Sequence, residues 1–558
     1  MSSLADLEVL MVDCQTTGAT PALGALLEIG WTIGRAAGAT EGVRSRRVTL
    51  PPGQAIPPII RRITGLDDAD REESIDPRAA WRELRETAAR VPDAGGGIPT
   101  VIHFARFELC FLRDLHARFE PAVTFPFDVV CAHEIARRLF PDLPRRGLRA
   151  LAGYFGHGLA LERRSLGHVE ATACVWRHLT SELAARGVQR WADLPLWMEE
   201  PAPTSKERRA FPMPRTQRLS LPDAPGVYRL LRSNGDVLYV GKAASLRKRV
   251  SSHFTRGGRA HERALEMLTQ ARDLSVTQTA TPLEAALLET DEIKRHDPPY
   301  NVHLRTGDRA AWFAARDLSQ ADTRPSDTHR LGPLPSPLAV SSLAAVQHIA
   351  AGGERDRTSR ARAVGASPSW GPEAAVFDEG WTLFASQRLA PIRSRTSRGV
   401  ILKASRALWR LFQEAGLDES EETEGPQRWD ADRVRRHLER TVLLGGQLLR
   451  RARWLCLLSR SAVAWKEPGA PRRLLVVDGA QIALRRDLER GEPVPAPPGG
   501  ALCWRDRQRV FDAVAYDRMR VLATELKRVM AETGEVEVRL SDRKSLRDEA
   551  LARVLRWV

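Results

Sequence analysis

The turn signal at Asn234-Gly235 constrains the folding of this chain more than any other short stretch. Two β-prone runs flank it, residues 226–231 and residues 237–241. Asn-Gly favours a two-residue type I′ turn, because both central positions of that turn need a positive φ. The stretch therefore predicts a tight β-hairpin whose strand pairing can be counted outward from the turn.

This pairing brings two tyrosines together. Counted from a two-residue loop, Leu230 lies opposite Tyr239. Two residues further from the turn, Tyr228 lies opposite Gly241. Because residues i and i+2 share one face of a strand, Tyr228 and Tyr239 are expected on the same face. The hairpin is therefore expected to present both phenol hydroxyls to one site.

Two helices are predicted after the hairpin. Residues 245–254 have helical spacing, and Arg249 and His253 share a face because they are four residues apart. The Thr-Pro-Leu-Glu run at 281–284 supplies an N-cap, a proline at the first helical position and a capping-box glutamate. Glu289 lies beside the apolar stripe of this second helix, so its carboxylate is expected at the helix edge.

The polar residues of this region suit metal-assisted cleavage of a phosphodiester. Glu289 offers a hard oxygen ligand for Mg²⁺ or Mn²⁺. Arg249 can stabilise the negative charge that develops on phosphate oxygens, with Lys242 as a second cation. A phenol is a poor base unless a nearby cation or metal lowers its pKa. The sequence leaves open whether Tyr228 or Tyr239 is the general base for in-line attack of water.

These residues resemble the GIY-YIG endonuclease family, most closely the N-terminal nuclease of UvrC-type excinucleases. The matching pieces are Gly226-Val227-Tyr228, Tyr239-Val240-Gly241-Lys242, Arg249, Glu289 and Asn301. The resemblance implies a catalytic set of Tyr228, Tyr239, Lys242, Arg249, Glu289 and Asn301, with Glu289 as the ligand of Mg²⁺ or Mn²⁺. Gly226 and Gly241 are expected to allow close approach of the backbone. His253 is either a phosphate contact or a plain surface histidine.

Residues 1–190 are expected to form an α/β domain. A short apolar run at 7–12 is β-prone and ends at Asp13, and residues 128–140 and 170–184 have helical spacing. The region resembles the DnaQ-like 3′–5′ exonucleases of the DEDD group at residues 12–18, 27–30, 63–66, 101–112 and 170–173. The resemblance implies a mixed sheet flanked by helices.

The exonuclease-like region lacks most of the carboxylates that DEDD chemistry needs to hold two divalent metals. Asp13 is present, but the second position carries Gln15 and the next carries Glu108. The last ligand position falls on His168, and the general-base position falls on Arg163. We predict that this domain is catalytically inactive and serves in binding or positioning. Two alternatives stay open, namely a shifted site with Glu162 or Glu170, and a single metal at Asp13, Glu108 and His168.

The C-terminal part predicts mixed helices and strands without a motif that indicates chemistry. Residues 431–464 are typical of a long helix or helix pair, and residues 473–478 and 535–540 of strands. Residues 510–533 have helical spacing, with Ala515, Met519, Leu522, Leu526 and Val529 on one face. Asp478-Gly479 indicates a turn at the end of a strand and not a second UvrC-type nuclease. Because only one nuclease site is then predicted, one type of incision is expected. The many arginines favour a DNA-binding or partner-docking role.

The fold class predicted is α/β multidomain, in five parts. These are an exonuclease-fold domain at 1–190, a proline-rich linker at 191–221, the GIY-YIG domain at 222–305, a loop-rich connecting region at 306–430 and a C-terminal α/β domain at 431–558. Within the connecting region, residues 352–373 have the composition of a loop, and residues 414–429 are acidic and expected to be exposed.

Composition limits the partners and the compartment. The formal net charge is +15, from 85 basic and 70 acidic residues, which favours a polyanion such as DNA. The six cysteines form no CxxC pair, which argues against a zinc ribbon and predicts buried thiols in a reducing compartment. No apolar run approaches the roughly 18 residues needed to span a membrane, and no secretory signal is predicted. We expect a cytoplasmic protein.

The leading hypothesis is a DNA-repair endonuclease that resembles the excinuclease group and uses the exonuclease-like domain for targeting. One alternative is a 3′–5′ exonuclease in replication-linked DNA processing, similar to the ε subunit of DNA polymerase III. Another is a non-catalytic DNA-binding scaffold. A damage-recognition or replication protein is an expected partner. The sequence does not indicate the lesion, the position of the cut or the oligomeric state.

Overall fold

The computed structural model describes residues 3–38, 40–67, 73–160, 163–201, 210–255, 262–305, 310–394, 396–415, 428–498 and 504–556. The chain divides into two compact units. One holds Met1–Thr277 and Pro298–Val302, and the other holds Gln278–Asp297 and His303–Val558. The α/β multidomain class is confirmed, whereas the five-part domain plan stays a prediction. No helix in the described ranges is long and apolar enough to cross a membrane.

The first unit begins with a five-stranded mixed sheet flanked by helices, as the exonuclease resemblance implied. Its strands are β1 (Val9–Thr16), β2 (Leu26–Gly34), β3 (Arg44–Arg47), β4 (Ile98–Ile102) and β5 (Phe127–Cys131). Its helices are α1 (Pro58–Thr64), α2 (Pro77–Ala88), α3 (Ala105–Phe119), α4 (Ala132–Leu139), α5 (Leu148–Tyr154), α6 (Ser165–Ala184) and α7 (Asp193–Glu199). The order is β3-β2-β1-β4-β5, with β1, β4 and β5 parallel.

The central strand β1 is buried along its whole length, which explains its continuous apolar run. It ends at Thr16, four residues beyond the end of the predicted run at 7–12. The helix predicted over 128–140 is wrong in its first part, because β5 occupies these positions up to Cys131. Val129 and Val130 are β-branched and pair with β4, so the parallel ladder overrides the helical spacing.

A three-stranded sheet in the order β7-β6-β8 follows. Its elements are α8 (Arg215–Leu219), β6 (Gly226–Leu231), β7 (Val237–Ala243), α9 (Leu246–Thr255), α10 (Glu262–Gln270) and β8 (Asp273–Gln278). The helix predicted at 245–254 is confirmed as α9, within one residue at each end.

The β6–β7 hairpin has the predicted register at the tyrosines but a different turn. Of Asn234 and Gly235, only the glycine has a positive φ, +88°. The Gly235 N–H donates to the Arg232 carbonyl at 3.1 Å, and the register shifts between Leu230 and Leu231. The type I′ prediction is therefore wrong. Gly235 takes the left-handed position of a longer loop, and the bulge restores the pairing further along the strands.

The second unit opens with α11 (Pro282–His296), followed by a small sheet in the order β10-β9-β11 and a group of helices. These elements are β9 (Trp312–Ala315), β10 (Ala321–Asp322), β11 (His329–Leu334), α12 (Ser341–Ala350), α13 (Arg357–Ala363), α14 (Ala374–Phe384), a π-helical turn (Ala385–Leu389), α15 (Ser397–Ala415) and α16 (Ala431–Leu458). The long helix predicted over 431–464 is confirmed as α16 up to Leu458, whereas the residues from Ser461 onward form a strand.

The loop-rich region predicted at 306–430 is wrong for its described part. Its helices share an apolar core with α16, to which Val346, Phe377 and Leu438 contribute. Helix α13 lies inside the stretch 352–373, for which the composition predicts a loop, and the Asp356 side chain caps it by accepting from the Ser359 N–H at 2.6 Å. Most of the acidic stretch 414–429 lies outside the described residues.

The C-terminal sheet has the order β14-β13-β12-β15-β16 and is antiparallel throughout. Its elements are β12 (Ser461–Trp465), β13 (Arg473–Asp478), β14 (Gln481–Asp487), α17 (Trp504–Arg509), α18 (Ala513–Thr533), β15 (Val536–Ser541), β16 (Lys544–Arg547) and α19 (Asp548–Leu555). The predicted apolar face of α18 is buried, which confirms that helix. Asp478 ends β13 and Gly479 has a φ of +57°, so the predicted turn is confirmed.

Candidate active site

Two tyrosines meet on one face of the β6–β7 hairpin, as the register predicts. Tyr228 pairs with Gly241, and Tyr239 pairs with Leu230. The centroids of the two phenol rings are 6.0 Å apart. Tyr228 is completely buried, whereas Tyr239 is partly exposed. The two phenols therefore share one site but differ in their access to solvent.

Gly241 allows the two phenols to lie against the strand. A Cβ atom at this position would lie 2.5 Å from Tyr228 Oη and 2.8 Å from Tyr239 Cε1. Both distances are shorter than real Cβ contacts, so any side chain would displace the tyrosines. The close approach predicted for Gly241 is confirmed by this geometry.

Helix α9 places a cation and an imidazole against the phenols. The Arg249 guanidinium is hydrogen-bonded to Tyr228 and Tyr239, and attraction to Tyr228 is the main cause that raises the pKa of Arg249. His253 Nε2 lies 2.7 Å from Tyr228 Oη, and its ring centroid lies 5.9 Å from that of Tyr239. His253 is thus a partner of Tyr228, and its phosphate contact stays a prediction.

Asn301 is buried and clamps strand β7 through its amide. Its Oδ1 accepts from the Val240 N–H at 3.0 Å, and its Nδ2 donates to the Val240 carbonyl at 2.9 Å. Val240 lies between Tyr239 and Gly241, so Asn301 holds the strand segment that carries the phenol. The geometry describes a positioning residue, and the predicted catalytic role of Asn301 stays a prediction.

Lys242 and Glu289 complete the predicted set. Lys242 on β7 is exposed, and Glu289 on α11 is partly buried. Helix α11 begins as predicted, because the Thr281 side chain accepts from the Glu284 N–H at 3.3 Å. The Glu284 carboxylate accepts from Arg473 Nε at 2.8 Å. Helix α11 belongs to the second unit, and the catalytic and metal-binding roles of Glu289 stay predictions of the resemblance.

The exonuclease-like site in the first unit brings three of its predicted residues into contact. Gln15 Nε2 donates to Asp13 Oδ2 at 2.7 Å. His168 Nδ1 lies 3.0 Å from Asp13 Oδ1 and 3.3 Å from Gln15 Nε2. The amide and the imidazole therefore engage both oxygens of Asp13.

Glu108 is buried beside Asp13, and its Oε2 accepts from the Cys14 N–H at 3.2 Å. Burial, together with the nearby Asp13 carboxylate, raises the pKa of Glu108 well above its ordinary value. Burial and the Glu108 and Asp13 charges also raise the pKa of the Cys14 thiol. Two carboxylates in contact inside the protein favour a protonated Glu108.

Glu28 is a buried residue to which the sequence assigned no role. Burial opposes its ionisation, yet hydrogen bonds from Arg164 and Ser165 lower the pKa of this carboxyl group. Arg164 Nη2 lies 2.6 Å from Oε1, and the Ser165 N–H donates to Oε2 at 2.7 Å. Because Ser165 begins α6, Glu28 fixes the helix that carries His168. A charged residue within an apolar strand is the signal that could have found it.

The other exonuclease-like candidates lie on the surface. The side chains of Arg163 and Glu170 are exposed, and the Arg163 N–H donates to the Ile63 carbonyl at 2.9 Å. Glu162 lies outside the described residues. Among the residues that the structure describes, no group of three or more His, Cys, Asp or Glu side chains is arranged to hold a metal ion. The single-metal alternative stays a prediction.

Known proteins are similar to this chain over the GIY-YIG region and, in one case, over most of its length. Residues 224–302 match the family model of the UvrC-like GIY-YIG domain. A protein of Mycobacterium tuberculosis strain CDC 1551, described as a bifunctional exonuclease/endonuclease, is 29% identical over 555 residues, covering 90% of this chain and 79% of that protein. UvrABC system protein C of Alkalilimnicola ehrlichii is 46% identical over 111 residues, which cover 20% of this chain and 17% of that relative.

Two solved structures are similar to parts of this chain. The magnesium-bound GIY-YIG endonuclease domain of Thermotoga maritima UvrC is 32% identical, with 16% of this chain and 94% of that domain covered and a TM-score of 0.15. Exonuclease X in complex with duplex DNA is 18% identical, with 32% of this chain and 93% of that chain covered and a TM-score of 0.24.

The residues and the family match define the class of the domain. The chain contains a UvrC-like GIY-YIG domain, a phosphodiester-cleaving hydrolase domain that lies within the predicted span 222–305. The predicted combination of this domain with an exonuclease-like region is confirmed by the relative that aligns along most of the chain. The alignments to the UvrABC proteins cover less than a quarter of those relatives.

Proposed function

We propose that this chain is a metal-dependent DNA endonuclease that makes one type of incision through its GIY-YIG domain in excision repair. The observation that carries the proposal is the convergence of Tyr228, Tyr239, Arg249 and His253 on one face of the hairpin. DNA is its proposed substrate, and the cytoplasm is its proposed compartment. The positive net charge of +15 supports a polyanionic substrate.

The contacts around the phenols support proton transfer. A guanidinium beside a phenol favours the phenolate, because the opposite charges attract. Arg249 is bound to both hydroxyls, and His253 at 2.7 Å can take up the Tyr228 proton. Tyr239 is partly exposed, so it has better access than Tyr228 to an attacking water. We therefore assign the general base to Tyr239, which takes the proton of the attacking water as the phenolate that Arg249 favours, while Tyr228 holds Arg249 in place.

The two cations can stabilise the negative charge that develops on the scissile phosphate. Lys242 and Arg249 are exposed, so their positive groups can contact the scissile phosphate of a bound strand. Fixed cations stabilise the transition state most where the charge develops. Loss of Arg249 is expected to remove both this stabilisation and the cation that favours the phenolate.

The donor chemistry fits a divalent ion with few protein ligands. Mg²⁺ keeps several waters and is usually bound through one or two carboxylates, so Glu289 would be sufficient to hold it. When bound, the ion polarises the phosphoryl oxygen and stabilises the leaving oxygen.

We further propose that the exonuclease-like region binds or targets DNA without cleaving it. Both oxygens of Asp13 are engaged by Gln15 and His168, and Glu108 is buried against Asp13. A 3′–5′ exonuclease is the second candidate, because the relative from Mycobacterium tuberculosis is described as both exonuclease and endonuclease. A damage-recognition or replication protein remains the proposed protein partner.

The test is cleavage of end-labelled duplex, flap and bubble DNA by the purified chain with Mg²⁺ or Mn²⁺. Glu289→Ala is compared with Glu549→Ala, a matched control that removes an exposed carboxylate from the first turn of α19. Discrete internal cuts that vanish with Glu289→Ala but persist with Glu549→Ala support the endonuclease. Single-nucleotide ladders that survive in Glu289→Ala would reverse the assignment in favour of the exonuclease.

A further inference from the structure

An aromatic and basic surface of the second unit is formed by residues of helix α16 and by two tryptophans that precede this helix in the chain. We call it the α16 ridge, and it consists of Trp370, Trp429, Arg433, Arg436, His437 and Arg440. Trp370 is 50% exposed and stacks on Trp429, with ring centroids 5.9 Å apart and an interplanar angle of 24°. A half-exposed tryptophan with one face supported leaves the other face open to a planar ligand.

The stacked pair is held rigidly by its neighbours. Trp429 Nε1 donates to the Trp370 carbonyl at 2.7 Å, and the Arg433 guanidinium lies 4.9 Å from the Trp429 ring centroid. The His437 ring lies 5.0 Å from Trp429, and its Nδ1 lies 3.0 Å from the Val364 carbonyl oxygen. Because these contacts order the rings in advance, a ligand that stacks on Trp370 loses little entropy in ordering them.

The exposed cations of the ridge, Arg436 and Arg440, lie on one side of helix α16. At 100° per residue, Arg433, Arg436, His437 and Arg440 fall within about 100° of the circumference of α16. Arg436 and Arg440 are exposed, and neither forms an ion pair with another residue of the described ranges. The acids of these helical turns, Asp432 and Glu439, bind Arg435 on another face of the helix at 3.2 and 3.0 Å.

We propose that the α16 ridge binds single-stranded DNA, with an unpaired base stacked on Trp370 and backbone phosphates against Arg436 and Arg440. Every base has a π-face, and a cationic groove beside an aromatic platform is the usual arrangement for sequence-tolerant binding of a single strand. The bases of a duplex are already stacked on each other and cannot reach Trp370. The proposal does not depend on incision by the GIY-YIG domain.

The first test compares affinities by fluorescence anisotropy, with a labelled oligo-dT and a duplex of equal length in EDTA, so that no divalent ion supports cleavage. Trp370→Ala is expected to weaken binding of the single strand by about tenfold or more, and Trp370→Phe by much less. Trp504→Ala is the matched control. Trp504 is also exposed, lies in the same unit and has Arg453 5.9 Å from its ring centroid.

The second test separates phosphate binding from stacking. Arg436→Ala combined with Arg440→Ala is expected to reduce the slope of log affinity against log salt by about 1.4, because each phosphate that is no longer neutralised lowers this slope by about 0.7. An oligonucleotide that contains 5-iodouracil is expected to cross-link to the peptide that carries Trp370. Thermal melts confirm that each variant is folded. Single-strand binding unchanged in folded Trp370→Ala, equal weakening by Trp504→Ala, or cross-links only elsewhere would overturn the proposal.

Discussion

Replacing Gly241 with alanine tests whether close packing of the two phenols against β7 is needed for activity. The added methyl group would lie 2.5 Å from Tyr228 Oη, whereas ordinary van der Waals contact begins near 3.4 Å. The backbone at residue 241 or the Tyr228 ring must therefore move by about 0.9 Å. Tyr228 is completely buried and bonded to His253 and Arg249, so its ring cannot turn into solvent.

The size of this displacement determines the expected losses of stability and of cleavage rate. Overpacking of a filled interior costs about 1–3 kcal/mol. In a domain of about 60–100 residues, the size of the GIY-YIG domain, each 1 kcal/mol lowers Tm by about 4–8 °C, so the melts should show a clear shift in a protein that still folds. A misplacement of about 1 Å in a catalytic group can lower the rate by about 10²-fold. We therefore expect Gly241→Ala to lower the cleavage rate far more than its loss of stability alone would explain.

The assay is single-turnover cleavage of end-labelled DNA with Mg²⁺, run beside thermal melts of the same samples. Gly42→Ala is the control, because a Cβ at Gly42 meets no atom within 4 Å. This control should cleave and melt like the wild type. Cleavage by Gly241→Ala at the wild-type rate would show that the phenols tolerate the shift, and the assignment of the site to this hairpin face would be refuted.

Three further predictions follow from other contacts. Asn301→Ala removes the partners of both Val240 backbone groups in a buried site, so denaturant titration should show a loss of about 1–3 kcal/mol. Burial lowers the pKa of His103 to about 3, so the unfolded state takes up a proton on this histidine before the folded state does. The contribution of His103 to the free energy of unfolding is therefore fully present above about pH 6.5. It falls by roughly 1.4 kcal/mol per pH unit from there toward pH 3. His103→Gln should flatten the dependence of the unfolding midpoint between pH 6 and 4, and an unchanged slope would contradict this. Asp13→Ala should leave Mg²⁺-dependent cleavage within about twofold of the wild type, and a large loss would place the chemistry in the exonuclease-like region.

Some elements could be predicted because their signals are local. The N-cap at Thr281 and the apolar stripe of α18 depend on residues a few positions apart, and both are confirmed. The turn at Asn234-Gly235 could not be predicted correctly, because the sequence does not show which of the two residues takes the positive φ. Pairing with β4 similarly overrode the helical spacing of this stretch, where Val129 and Val130 are β-branched.

The sequence by itself determined the residue types of the candidate site and the face of the hairpin on which both tyrosines lie. Strand alternation and helical spacing are properties of the local backbone, so they can be counted along the chain. Only the tertiary structure decided the bond between His253 and Tyr228, the clamp of Asn301 on Val240 and the role of Glu28 at the start of α6. These contacts join residues 25 to 137 positions apart, and their distances depend on how the elements pack.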